Sequence, residues 1–268
     1  MEFLLIPLVL IIAGIVLFMN YKKVKKQFDN IRSVEKTTVA AIHENHDHFL
    51  IEFGTGTYQH YVELYGTVKC DAPLLSAITA RPCVFSEHKV QRTYEVMVQE
   101  KDAQGNMVTR MRQQTETLSS NRQSVSFRIA EDDSYVDIMP DGADIFPIQS
   151  HASQTGSLDP AIAGKLGISL GYRIGNTRGY SITEKIIPLE QNLYVLGEAN
   201  DRAGKLTISK PREKDKSFIL STTQEDVLLE KLALKIKWFR LGFWAAIIGG
   251  ILSLVFLAYS YLETGIKF

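Results

Sequence analysis

Hydrophobic residues gather at both ends of the chain and alternate with polar residues across its middle. One uncharged apolar run covers residues 3–19 and a second covers residues 241–262. A helix of about 17–25 apolar residues is long enough to cross the hydrocarbon core of a bilayer. The pattern therefore predicts a transmembrane helix in residues 1–20. It also predicts a helix over residues 223–262 that starts in the central domain and continues as a second span.

A cleaved signal peptide is the alternative for the first run, and a buried core helix is the alternative for the second. A signal peptide carries basic residues before its apolar run, whereas Lys22 and Lys23 follow this one. The second run has aromatic residues at both ends, as is typical of helices at membrane interfaces: Trp238, Phe239, Phe243, Trp244, Tyr259 and Tyr261. Both runs are therefore predicted to be uncleaved anchors.

The basic residues near the two runs predict the orientation. Ten of them lie on the central side of the runs: Lys22, Lys23, Lys25, Lys26, Arg32, Lys36, Lys231, Lys235, Lys237 and Arg240. Only Lys267 lies on the other side. Because Lys and Arg accumulate on the cytoplasmic side of membrane helices, we expect a cytoplasmic domain and extracytoplasmic termini, in a bacterium at the inner membrane. Anionic membrane lipid is a predicted partner of these residues.

Between the runs, alternation with a period of two predicts a mainly β domain. Residues 21–46 are predicted as a juxtamembrane helical segment, in which Thr37 or Thr38 caps a short helix over residues 39–45. The β domain is placed at residues 47–222 and a short tail at residues 263–268. Asp159 and Pro160 predict one short internal helix. Strands are predicted over residues 49–53, 61–68, 83–90, 93–99, 108–115, 124–129, 135–138, 180–188, 192–199, 205–209 and 218–221. Short strands joined by local hairpins favour an antiparallel barrel- or sandwich-like α+β fold with short helices.

Charge and cysteine content exclude some functions and leave others open. Lys and Arg total 30, as do Asp and Glu, so no net field favours nucleic acid and none is predicted as a partner. Cys70 and Cys83 could form one disulfide, but a cytoplasmic domain favours free thiols. No cofactor is predicted.

A few polar residues are candidates for chemistry. His43, His46 and His48 form the densest group of potential metal ligands, although a polar helix end explains them equally. Cys83, with His88 five residues later, has no third group that would complete a catalytic set, so it is predicted to be a small core residue. Glu184 and Glu198 each lie in an apolar β segment, where a charge needs a salt bridge or hydrogen bonds. No catalytic residue is assigned.

The order of several short motifs resembles the GIDE domain, also called BAM for "beside a membrane". The motifs are residues 66–68, 73–76, 81–84, 125–127, 136–143, 180–188, 193–198 and 218–221, followed by the second apolar run. The same span–domain–span plan occurs in mitochondrial ligases of the MULAN (MAPL) type. The resemblance implies a prokaryotic relative and marks these family positions: Gly66, Pro73, Leu74, Cys83, Asp137, Glu184, Gly197 and Glu198.

The chain departs from those ligases in one respect. They carry a RING domain after the second span, and a RING binds two zinc ions through eight Cys and His ligands. The six residues after Leu262 contain neither type. We therefore expect no ubiquitin or SUMO transfer by this chain, but a membrane-anchored adaptor that binds a protein partner. Two alternatives are a metal-dependent enzyme using the three histidines and a structural protein that forms homo-oligomers through its spans.

Overall fold

The computed structural model describes residues 5–101, 105–169, 171 and 174–264. The described part contains four helices and twelve strands, in this order: α1 (Leu5–Ser33), α2 (Val39–Phe53), β1 (Gln59–Lys69), β2 (Leu74–Leu75), β3 (Pro82–Lys101), β4 (Met107–Ser124), β5 (Phe127–Glu131), β6 (Ser134–Ile138), β7 (Asp144–Phe146), β8 (Ile148–Thr155), α3 (Pro160–Lys165), β9 (Asn176–Pro188), β10 (Asn192–Asn200), β11 (Thr207–Ser209), β12 (Ile219–Ser221) and α4 (Glu225–Thr264). They form two compact units. One contains the two long helices and Arg212–Ser217, and the other contains Thr37–Pro211 and Phe218–Thr222.

The helical unit is an antiparallel pair formed by α1 and α4. Both helices are long enough and apolar enough to cross a membrane. They approach each other at glycines: a methyl group on Gly242 would lie 3.3 Å from Leu17, and one on Gly249 would lie 3.6 Å from Leu10. Small residues allow such close packing of apolar helices. Of the residues invoked for the spans and their orientation, Phe3, Leu4, Lys267 and the Tyr261 side chain lie outside the described part.

The β unit is built around a small closed barrel. The strands β1, β5, β6, β11 and β10 pair in that order, and β10 pairs again with β1 to close the ring. Only the β6–β11 pair within this ring is parallel. Further along its length β10 also pairs with β12, which in turn pairs with β7. Apolar side chains from these strands and from α2 fill the interior, among them Ile42, Leu64, Ile129 and Val195.

A second sheet lies beside the barrel in the same unit. Its order is β2-β3-β9-β8, and β4 forms a long hairpin with β3. A smaller core made by Val90 and Ile182 from the sheet, and by Leu158 and Ala163 from the segment around α3, covers one face. Asp159 caps α3 by accepting a hydrogen bond from Ala161 N at 2.7 Å. The architecture confirms the predicted mainly β fold with a barrel, short helices and two apolar terminal helices.

One local prediction was wrong. Residues 49–53 are not a strand but the end of α2, which runs to Phe53 and stops at Gly54 with a φ of 75°. The side chains Ile51 and Phe53, which alternate as in a strand, are exposed, whereas Ile42 and His46, four residues apart, are both buried. Burial therefore follows the 3.6-residue period of a helix. The second long helix, predicted over residues 223–262, begins at Glu225 as α4.

Other differences concern strand extent. The two segments 83–90 and 93–99 form one strand, β3, with a register shift at Val90 and Gln91. The strands β2, β7 and β8 were missed, and β8 is mostly polar because only part of it faces a core. The predicted cap Thr38 is confirmed, since its side chain accepts a hydrogen bond from Ala41 N at 3.1 Å.

Replacing Gly66 with alanine should destabilise the β unit. Gly66 lies where β1 passes from β10 to β5, and a methyl group there would lie 2.7 Å from Ala130 O and still closer to Ile129 Cγ2. Overpacking of this kind costs about 1–3 kcal/mol. Urea unfolding of the detergent-solubilised chain, followed through the accessibility of the buried Cys83 thiol, measures the loss. Gly156→Ala is the matched control, because no atom lies within 4 Å of that position; equal midpoints for the two variants would contradict the packing argument.

Candidate functional site

The surface of the barrel carries a cleft on the side of β5 and β6. It consists of two cavities of about 450 and 400 Å³ that share Asp137 and Lys205 in their walls. The first is also lined by His43, Asp133, Ser134, Tyr135, Val136 and Leu206, and the second by Cys70, Asp71, Ala72, Val125, Ser126, Phe127, Arg128, Ile138 and Met139. The family position Asp137 therefore lies at the centre of an open cleft.

Paired charges line this cleft. Lys205 Nζ lies 2.6 Å from Asp137 Oδ2. In the β5–β6 ladder Arg128 stands opposite Asp137; its guanidinium forms an ion pair with Asp71 and lies 5.3 Å from the centre of the Tyr135 ring. Both signs of charge are thus presented next to an exposed aromatic side chain, which suits a peptide segment carrying charges of its own.

The three histidines proposed as metal ligands lie on α2 and point to different surroundings. His43 Nε2 lies 2.8 Å from Tyr135 O at the edge of the cleft, and it must donate there because a carbonyl only accepts. His46 is buried, with Nε2 3.5 Å from Asp201 Oδ2 and its ring edge-on to Tyr58. His48 is exposed. Within the described residues, no group of three His, Cys, Asp or Glu side chains is placed to hold a metal.

Glu184 is fully buried in β9 and is surrounded by hydrogen-bond donors. Its carboxylate accepts bonds from the Thr79 hydroxyl at 2.5 Å, Ile78 N at 2.6 Å and the Ser150 hydroxyl at 2.8 Å. Two longer bonds of 3.2 Å come from the Ser76 hydroxyl and Thr79 N. The turn after β2 therefore wraps around the carboxylate, and the expected partner of this buried charge is a set of neutral donors rather than a cation.

These donors set the ionisation of Glu184. Burial raises the pKa of the carboxyl, but the hydrogen bonds from Thr79, Ile78 and Ser150 together outweigh burial and hold the pKa below its ordinary value of 4.5. Glu184 therefore stays ionised at neutral pH. It is a structural anion that fixes the turn, because every short contact of its oxygens is already made by the protein.

Cys83 and His88 lie near Glu184 but do not form a catalytic pair. Burial, reinforced by the negative charge of Glu184, raises the pKa of the Cys83 thiol to about 11, and its Sγ lies 3.6 Å from Leu74 O. Burial lowers the pKa of His88, whose Nε2 lies 3.1 Å from the Ser119 hydroxyl. A nucleophilic cysteine needs a lowered pKa, so Cys83 is the buried core residue that its strand position predicted. Cys70 and Cys83 are both free thiols.

The remaining family positions serve the barrel. Glu198 is buried in β10, where it pairs with Arg202 and accepts a hydrogen bond from Gln59 at 2.5 Å, which fits the predicted salt bridge. Its neighbour Gly197 has no room for a side chain, since a methyl group would lie 2.8 Å from Ile208 and 2.9 Å from Phe218. Pro73 directly precedes β2. The eight positions therefore fall in three places: Pro73, Leu74, Cys83 and Glu184 lie in or beside the second sheet, Gly66, Gly197 and Glu198 lie in the barrel, and Asp137 lies in the cleft.

Sequence reasoning missed two residues that have prominent contacts in the structure, Lys205 and Arg92. Lys205 reaches Asp137 across 68 positions of sequence, and no local pattern marks such a pair. Arg92 is buried in β3, where it donates to Thr177 at 2.7 Å and to the Ile174 and Gly175 carbonyls and pairs with Glu116 at 3.0 Å. A lone arginine within the apolar alternation of β3 was the signal that could have identified it.

Replacing Glu184 with glutamine should destabilise the β unit in a pH-dependent way. The NH2 group of the glutamine side chain would face the hydrogen-bond donors that now bind the carboxylate. This should lower the free energy of unfolding by about 1–3 kcal/mol at neutral pH. Because the folded pKa is lowered, the stabilisation by Glu184 is complete above the unfolded pKa and is lost as the pH falls through the folded pKa. The difference in free energy of unfolding between wild type and Glu184→Gln should therefore shrink below about pH 4.

Urea unfolding with 4,4′-dithiodipyridine as a probe of Cys83 measures this difference, because the reagent reacts with thiols in acid. Glu190→Gln is the control, since Glu190 is exposed and paired only with Lys69. A difference between wild type and Glu184→Gln that stayed constant from pH 7 to pH 3 would mean that the charge of Glu184 has no part in its effect.

Comparison with known proteins gives one match. No curated protein and no solved structure is significantly similar to this chain. The GIDE family model, described as an E3 ubiquitin ligase, matches residues 95–257. This range includes Asp137, Glu184, Gly197 and Glu198, while Gly66, Pro73, Leu74 and Cys83 precede it. Because the match covers more than half of the chain and continues into α4, the chain belongs to the GIDE family.

Proposed function

We propose that this GIDE chain is a membrane-anchored, non-catalytic adaptor whose barrel cleft binds a protein partner at the cytoplasmic face. The observation that carries the proposal is the cleft around Asp137 and Lys205, which is open and lined by ion pairs. Its charged side chains form ion pairs with each other, and a charged side chain of a bound peptide can replace one member of such a pair. Among the described residues of the cleft, no nucleophile lies against a base, so binding is the chemistry that its walls support.

Transfer of ubiquitin-like proteins needs parts that these residues do not supply. A RING domain holds zinc through Cys and His ligands, and the two cysteines of this sequence are Cys70, in the cleft wall, and the buried Cys83. The thiol of Cys83 has a raised pKa, which also disfavours a thioester mechanism. The proposed role is therefore one beside such an enzyme, with the partner carrying the catalytic residues.

The basic residues of the two long helices support the proposed topology. Residues from Lys22 to Arg32 occupy the part of α1 that follows its apolar run, and residues from Lys231 to Arg240 occupy the part of α4 that precedes its own. Each basic residue close to an anionic bilayer contributes about 1 kcal/mol. Both helix ends thus favour the side with the negative surface potential, which is the cytoplasmic leaflet of a bacterial inner membrane.

A cysteine at Ser134 should report a cytoplasmic domain. In intact bacterial cells, a membrane-impermeant maleimide should leave Ser134→Cys unlabelled, and permeabilisation should expose it to the reagent. The unmodified chain corrects for the reaction of Cys70, which is partly accessible. Labelling of intact cells at the level reached after permeabilisation would reverse the proposed orientation.

A photo-crosslinking amino acid at Ser134 should capture the partner in native membranes. Ser134 lies in the cleft wall, and the same amino acid at the exposed Lys165 provides the control position. We expect a discrete protein adduct at position 134 that is absent at 165 and is reduced about tenfold by Lys205→Glu, which breaks the ion pair with Asp137.

Arg178→Glu is the matched charge reversal for that experiment. Arg178 forms an exposed ion pair of the same 2.6 Å length with Glu95, away from the cleft, so this variant should leave the adduct unchanged. Identical adducts at positions 134 and 165, or an adduct insensitive to Lys205→Glu, would show that the cleft does not select the partner.

A further inference from the structure

The outer edge of β4 is free along much of its length. β3 is covered on one side by β9 as far as Glu95 and on the other by β4. Within the described part of the chain β4 pairs with no other strand, and residues 109–115 are all exposed. Along residues 109–115 the outward-facing peptide N–H and C=O groups pair with no other described strand, and they are aligned for one.

Three of the usual protections of an edge strand, namely proline, lysine and a bulge, are missing from Met107 to Thr117. Soluble proteins block free edges with proline, lysine, bulges or very short strands. From Met107 to Thr117 the strand has no proline and no lysine, and it keeps its register against β3 without interruption. The register shift at Val90 and Gln91 comes only after that stretch. Eleven consecutive residues thus offer a straight pairing surface.

The charges along this edge are complementary to themselves. If two copies of β4 run antiparallel with a two-fold axis at Gln113, Arg110 of each copy stands opposite Glu116 of the other. Thr109 then stands opposite Thr117. Opposite charges on facing residues of neighbouring strands stabilise the pair. A two-fold axis at Met111 or at Arg112 would instead set arginines against each other, so the charge pattern discriminates between registers.

The existing contacts of the three charged residues favour the same register. Arg112 is already paired with Glu100 on β3, whereas Arg110 makes no ion pair within the described residues. Glu116 holds the buried Arg92 at 3.0 Å, and its side chain remains 34% exposed, so its carboxylate can accept a second cation. Arg110 is therefore the charge that an antiparallel copy satisfies best.

We propose that two copies of this chain associate through their β4 edges, antiparallel and centred on Gln113. The two sheets then join into one, in the order β8-β9-β3-β4 and, from the second copy, β4-β3-β9-β8. This interface uses the β unit alone and is independent of any association between the apolar helices and of the cleft.

Cysteine crosslinking of the full-length chain in native membranes tests both the contact and its register. Facing side chains of an antiparallel pair have Cβ atoms about 4.5–5.5 Å apart, so Gln113→Cys should give a covalent dimer with a short bis-maleimide, above the background from Cys70. Thr117→Cys is the control, since the two copies of residue 117 would be roughly 27 Å apart. Thr109→Cys and Thr117→Cys should each fail alone and crosslink when co-expressed.

Arg110→Glu in the Gln113→Cys chain should lower the dimer yield about tenfold, because it places acids opposite each other in both symmetric pairs. Unchanged protection of Cys83 shows that the fold is retained. Equal crosslinking at positions 113 and 117 would mean that the chains meet through their helices or by collision, and would overturn the proposal. Background-level crosslinking at 113 would overturn it too, leaving the edge free or occupied by a strand of another protein.

Discussion

Nine facing residue pairs join β1 to β10, from Gln59 opposite Asn200 to Thr67 opposite Asn192. This ladder turns an open sheet into a closed ring, and it fixes the other strands because β10 continues into pairs with both β11 and β12. The two glycines of the ring, Gly66 and Gly197, lie where neighbouring strands approach too closely for a side chain. Closure also places the loop that carries Lys205 opposite β6, so the cleft exists only because the ring is complete.

The chemistry of the β unit bears on the role that we propose for this chain. Glu184 is surrounded by hydrogen-bond donors, Asp137 is paired with Lys205, and burial raises the pKa of the Cys83 thiol to about 11. Enzymes often hold a nucleophile near ionisation or place an acid beside a base. The matched surface charges of the barrel fit the proposed recognition of another protein, and the GIDE fold supplies a frame on which such a surface can vary.

Local pattern was enough to predict most of the fold, because alternation and capping are local. Asp159 and Thr38 cap their helices as expected, and the strands from Tyr61 to Ser221 lie near their predicted places. Prediction failed where tertiary contacts decided between a strand and a helix. The spacing of Phe49, Ile51 and Phe53 fits a strand, but the burial of Ile42 and His46 extends the helix through them. For the sites, the need of Glu184 for partners was visible, but its donors come from positions about a hundred residues away. Pairs such as Asp137 and Lys205 have no local signature.

The way in which the negative charge of Glu184 is stabilised determines how that charge responds to the salt concentration around the protein. Its negative charge is stabilised by fixed dipoles inside the protein, and dissolved ions screen such contacts little. The Asp137–Lys205 pair is open to solvent and weakens as the Debye length shortens. A rise in salt should therefore weaken the binding of a charged segment in the cleft while leaving the fold around it intact, so ionic strength would control occupancy of the cleft and not folding.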